Sequence, residues 1–192
     1  GIDNFMESDF ISENGSIIKT SKVQNIYSSE INQLINMSKI AIREAIENIN
    51  ITKDVDIILM TPTLSRESSS NIDYKELFKK LQSHLSFNFG ENSKIIPGGR
   101  GDLHKGISYA REILSKNKTG IILLLGVDSY LNSSDIMNYV SQDRILTDEN
   151  SDGFIPGEAA SVIVLKLPSQ KNTYEKYFSI RGIGYGNEKS TI

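Results

Sequence analysis

The chain has 192 residues, enough for one core of ordinary size, and its 38% apolar and 23% charged content excludes a disordered segment. A net charge of −3 argues against nucleic acid as the main partner, and the absence of cysteine excludes disulfides, thiolate-bound zinc and a thiol nucleophile within these residues. The longest apolar run, Ile121 to Val127, is far too short to span a bilayer, so no membrane association is expected. Gly1 to Phe5 is neither basic nor followed by an apolar stretch, so no secretory leader is expected either. An opening on Gly1 instead of Met suggests a piece of a longer chain, and the cytoplasm is the default compartment for a chain without cysteine.

In chain order, Asn14-Gly15 marks a turn between two short strand-like pieces. Ser28-Ser29-Glu30 opens a helix whose face is Ile31, Leu34, Ile35, Ile42, Ala45, Ile46 and Ile49, with Asn50 as its stop. Val55 to Met60 is apolar without alternation, the pattern of a strand buried on both faces, and Thr61-Pro62 ends it. Leu64 to Asn71 is polar and serine-rich, a surface loop. Asp73 caps a second helix carrying Leu77, Phe78, Leu81 and Leu85. Ser93 to Pro97 is a short strand, and Gly98-Gly99-Arg100-Gly101-Asp102 turns from it into a helix with Leu103, Ile107, Ala110, Ile113 and Leu114 inward. Ile121 to Val127 is the strongest strand. Ser133-Ser134-Asp135 caps a short helix, and Ala159 to Leu167 and Phe178 to Ile183 are expected to be strands. Strands alternating with helices, without a linker or an internal repeat, predict one α/β layered domain over residues 1–192.

The familiar catalytic patterns fail one by one. The glycine-rich turn ends in Gly101-Asp102-Leu103, without the Lys-Ser/Thr of a phosphate loop, and its glycines are not spaced for a dinucleotide. Such turns often only relieve backbone strain. His84 and His104, the two histidines, fall in different helices without a metal-ligand spacing, so no metal or cofactor is expected. No Gly-x-Ser-x-Gly elbow marks a serine hydrolase.

One segment is more specific. Gly126-Val127-Asp128-Ser129 closes a strand, Arg144-Ile145-Leu146-Thr147 follows, and Asp152-Gly153-Phe154-Ile155-Pro156-Gly157-Glu158-Ala159-Ala160 leads into another strand. In order and spacing this resembles the β-ketoacyl-acyl-carrier-protein synthases of the thiolase-like superfamily. The likeness continues weakly upstream through Ala41 to Ile49, Asp56 to Met60 and the helix from Asp102. Downstream, Ile180-Arg181-Gly182-Ile183-Gly184 resembles the strand that opens the second half of such enzymes. The resemblance covers most of these residues but about half of a complete synthase.

That resemblance implies an α-β-α layered domain, a mixed sheet with helices on both faces, and a role in fatty-acid or polyketide-type synthesis. It places the nucleophile position at Arg100, with Gly101 the next candidate, so no catalytic residue is expected here and both become substrate-binding candidates. A thiolate gains from a helix N-terminus, whereas an arginine there sets a cation against the positive dipole end, unless it pairs with an anionic group such as an acyl-carrier phosphate. The expectation is a protein without condensing activity that binds acyl carrier protein or an acyl thioester, as a homodimer or beside a synthase subunit. The alternatives are an active acyltransferase or condensing enzyme whose catalytic residues lie elsewhere, and a non-catalytic interaction domain. Asp128, Ser129, Asp152, Gly153, Phe154, Gly157 and Glu158 are expected to be structural. Gly153 and Gly157 would hold conformations costly to a side chain, and Glu158 would be buried and paired. The resemblance also implies self-association through Ser93 to Pro97, covering Ile95 and Ile96.

Overall fold

The computed structural model describes residues 5–12, 14–24, 30–49, 51, 54–63, 66, 72–99, 101–116, 120–167 and 178–186. A hairpin of β1 (Phe5–Ile11) and β2 (Ile17–Ser21) opens it, with Gly15 at φ +86° in the tip, where glycine carries no Cβ penalty. Then follow α1 (Glu30–Ile46), β3 (Asp56–Thr61), α2 (Tyr74–Ser83), β4 (Lys94–Pro97), α3 (Leu103–Lys116), β5 (Ile121–Ser129), α4 (Ser133–Ser141) and β6 (Glu158–Lys166). The main sheet has the order β4-β3-β5-β6, with β4 and β5 parallel to β3 and β6 antiparallel to β5. It is a mixed sheet, and the parallel connections run through α2 and α3.

Unbroken apolar runs make the layers. Along β3, Ile57 and Leu59 face one side and Ile58 the other; along β5, Leu123, Leu125 and Val127 oppose Ile122 and Leu124. Leu34, Ile35, Met37 and Ile42 of α1 and Tyr74, Leu77 and Leu81 of α2 pack on the first side. Ala110, Ile113 and Leu114 of α3 pack on the second. Helices on both faces of a mixed sheet give an α-β-α layered domain. Each fully buried Leu or Ile stabilises it by about 2 kcal/mol, and the polar residues of the two central strands, Asp56, Thr61, Asp128 and Ser129, stand at the strand ends. Gly106 lets α3 lie close, since a Cβ there would sit 2.6 Å from Leu124 Cδ1 and 2.8 Å from Met60 Sδ. A smaller third core joins the hairpin to α4 through Ile18, Ile136 and Ile145.

Four local expectations need correction. Phe178 to Ile183 is not a strand: it has no ladder partner among the described residues, and Phe178 is fully exposed. The cap of α4 is Asn132, whose side chain accepts from the Asp135 N–H at 2.9 Å, one residue before the expected Ser133. Leu103 is 45% exposed, because the buried stripe of α3 begins at Gly106. Neither Gly153 nor Gly157 has a positive φ; both are required by close approach. Ser28, Ser29 and Asn50 lie outside the described residues. No helix among the described residues is long and apolar enough to cross a membrane.

Candidate functional site

Parallel strands point their carboxyl ends the same way, and open α/β sheets hold ligands beyond those ends. Here β3 ends at Thr61, β4 at Pro97 and β5 at Ser129, and a cavity of about 1030 Å³ opens just beyond them. Its floor is small and apolar: Met60, Gly126, Val127, Ala159 and Ala160, with the Gly98-Gly99 turn at one side. A polar part of the lining, its wall, is formed by Asn138 and Tyr139 of α4 and by Gln142 and Arg144 just after it. Thr61, Pro62, Thr63, Arg66, Asp128 and Tyr130 complete the rim.

One arginine organises that rim. Arg66 donates from Nη1 to Asp128 Oδ2 at 2.8 Å, and from Nη2 to Asp128 Oδ1 at 2.6 Å and to the Ser129 carbonyl at 3.2 Å. Its Nε lies 3.4 Å from Asp135 Oδ2, and its guanidinium sits 4.4 Å from the centre of the Tyr130 ring. The Arg66 side chain is 9% exposed and Asp135 2%, whereas Asp128 is 37% exposed, so the charge-assisted cluster is buried on its Asp135 side and meets solvent at Asp128. Burial alone would lower the affinity of Arg66 for its proton, but the hydrogen bond and charge of Asp128, with Asp135 behind it, hold it above the ordinary arginine value. Burial pushes the Tyr74 phenol up, and Asp128 adds to the shift; its hydroxyl has no hydrogen-bond partner among the described residues. Partial burial and the charge of Asp135 raise the Glu30 carboxyl as well. Arg66 was not singled out by the sequence, since it sits in a serine-rich stretch that resembles a solvated loop.

Among the residues singled out by the resemblance, Arg100 lies outside the described residues. Gly101 is exposed beside the cavity turn, its carbonyl 3.0 Å from His104 Nδ1. The turn is held by Asp102, which accepts from the Gly99 N–H at 2.7 Å and pairs with Lys105 at 2.7 Å. Those two bonds, Lys105 first, hold the Asp102 carboxyl below its usual range. His104 stacks on Tyr185 with ring centres 5.1 Å apart, and His84 is exposed at the end of α2.

The Asp128 to Glu158 set forms a framework behind the cavity. Glu158 is paired as expected but only half-buried, not buried: it accepts from the Val23 N–H at 3.0 Å, Gln33 Nε2 at 2.7 Å and the Ser129 hydroxyl at 3.2 Å. Three donors on one carboxylate tie the exit of β2, α1 and β5 to the start of β6. Phe154 donates its N–H to the Arg144 carbonyl at 2.9 Å and accepts from the Leu146 N–H at 2.9 Å, so the two motif segments lie side by side. A Cβ on Gly153 would fall 2.1 Å from the Ile145 carbonyl carbon, and one on Gly157 3.0 Å from the Ser21 carbonyl oxygen. Asp152 is exposed, with its N–H on Asn150 Oδ1 at 3.1 Å.

Among the described residues the cavity lining contains no histidine, lysine or glutamate, and no group of acidic or histidine side chains fit to hold a metal occurs. What the arrangement offers is an open cavity lined in part by small apolar residues and in part by hydrogen-bond donors, with the Arg66–Asp128 pair at its rim. No family model matches the chain, and no curated protein does. Among the solved structures similar to it are two polyketide synthases. Germicidin synthase from Streptomyces coelicolor, a type III polyketide synthase, aligns at 11% identity and a TM-score of 0.44 over 72% of this chain and 34% of its own. The fungal type III polyketide synthase ORAS aligns at 13% identity and a TM-score of 0.43 over 76% of this chain and 42% of its own. This chain thus spans well under half the length of either.

Proposed function

We propose that the chain is a β-ketoacyl-synthase-like module of fatty-acid or polyketide-type synthesis that holds an acyl thioester without condensing it. The observation that carries this reading is the cavity of about 1030 Å³ at the carboxyl ends of β3, β4 and β5, bordered by the Gly98-Gly99 turn, in a chain with no cysteine. Its volume lies just above the range of small-molecule pockets, about 300–1,000 Å³, and its apolar floor suits an acyl chain. The turn on which a nucleophile would stand carries Gly99, Arg100 and Gly101, none of which can form an acyl-enzyme. Acyl carrier protein is the natural donor of such a thioester, and a second copy of this chain or an active synthase subunit is its partner.

The test is incubation with a malonyl or dodecanoyl thioester of pantetheine, followed by intact-mass measurement and by equilibrium dialysis. Reversible binding with an unchanged protein mass is the expected result. A stable acyl adduct on any residue would establish an acyl-transfer step and overturn the non-condensing reading; no binding at all would favour the plain interaction domain.

A further inference from the structure

Among the described residues three charged side chains line the cavity: Arg66, Asp128 and Arg144. Two of them satisfy each other. Arg66 spends its guanidinium on both Asp128 oxygens, the Ser129 carbonyl and Asp135, and Asp128 presents both oxygens to Arg66. Arg144 stands apart. It follows α4, is half-buried, and has its guanidinium carbon 6.0 Å from the centre of the Tyr139 ring. No carboxylate among the described residues lies within ion-pair distance of it. A guanidinium carries five N–H donors and no acceptor, so a half-buried one without an acidic partner is left to an anion or to water. Beside it, Gln142 Nε2 donates to Asn138 Oδ1 at 2.9 Å, which uses the Asn138 acceptor and leaves its amide hydrogens as further donors on the same wall.

We propose that Arg144 is the anion-binding residue of this cavity, and that the ligand is amphiphilic: a carboxylate or phosphate against Arg144, with an apolar chain over the Gly126 and Ala159-Ala160 floor. This rests on the reading of the cavity as an acyl site and adds the charge and place of the ligand's polar end. The competing account gives Arg144 only a favourable interaction with the carbonyl end of α4, where cations are welcome. That role would affect stability and leave ligand choice untouched.

Three probes with one chain separate the accounts: decanoate, decyl phosphate and 1-decanol, titrated against the whole chain and followed by backbone amide shifts. The anions should bind at least about ten-fold tighter than the alcohol, as expected of a charge-assisted hydrogen bond. In Arg144→Gln the preference should collapse while 1-decanol binds as before; Arg144→Lys should keep part of it. Arg111→Gln, an exposed arginine on α3, should leave the preference intact. Tighter decyl phosphate supports the site and identifies a phosphate ester as the source, and tighter decanoate does the same for a carboxylate. A preference that survives in Arg144→Gln, or falls equally in Arg111→Gln, overturns the assignment but leaves the acyl site standing. Failure of all three probes overturns both. Should Arg144→Gln not fold, raising the salt from 0.1 to 0.5 M must shrink the wild-type preference; no change would overturn the assignment.

Discussion

At the residue scale the molecule depends on Arg66. Removing one partner of a buried ion pair leaves an uncompensated charge, so Arg66→Met should cost about 3 kcal/mol or more in urea unfolding. Adding Asp135→Asn to that variant should recover part of the loss; additive losses would show that the Asp135 contact contributes nothing. Glu30 gives a pH signature. Its carboxyl is raised in the folded chain, so its contribution is complete below the ordinary glutamate value and is lost as pH rises through the folded value. Glu30→Gln should therefore raise Tm at pH 7 and flatten the decline between pH 4 and 7; an unchanged profile contradicts it. Asp102 has the opposite sign: its lowered value means that the bond to Gly99 N–H is present above the unfolded value and lost as pH falls through the folded one. Little of this was legible in the sequence. Arg66 is surrounded by serines, and its partners Asp128 and Asp135 lie 62 and 69 positions away, brought near only by the order β3-β5 and the turn into α4.

At the element scale the reading fared better, for a physical reason. The faces of α1 and α2 and the two-sided burial of β3 and β5 follow from periodicity, which is a local property, and the Asp73 cap follows from one side chain accepting from Lys75 and Glu76. Phe178 to Ile183 shows the limit, since strand-like composition makes a strand only where a neighbouring edge is free to pair. The Gly153 approach was legible as a glycine but not as a contact, because Ile145 reaches it only through the fold. Gly153→Ala should force apart the Ile145-Leu146 backbone, and a loss of about 3 kcal/mol or complete failure to fold is expected, whereas the same change at an open position of ordinary φ stabilises by about 0.4–1 kcal/mol. Equal stability of wild type and Gly153→Ala would show that the 144–146 and 153–155 segments are not packed as described.

At the scale of the whole molecule, β4 is an edge of the main sheet, with its outer backbone groups unpaired among the described residues. Ile95 packs against the α1 and α2 core and Ile96 against the α3 core, so both isoleucines already have cover within the chain. A dimer through this edge would be held by backbone pairing, and light scattering at tens of micromolar should give twice the chain mass; a monomer would contradict self-association through β4. The proposed function rests on the cavity. It was not legible in the sequence because its floor, turn and polar wall come from five separate segments that only the sheet order assembles. The most direct measurement is a backbone amide shift titration with dodecanoyl-pantetheine. Shifts gathered at Gly98-Gly99, Gly126 to Tyr130 and Asn138 to Arg144, saturating and reversible, are what this account predicts. Shifts confined to the hairpin or the outer faces of the helices, or none at millimolar ligand, would contradict it.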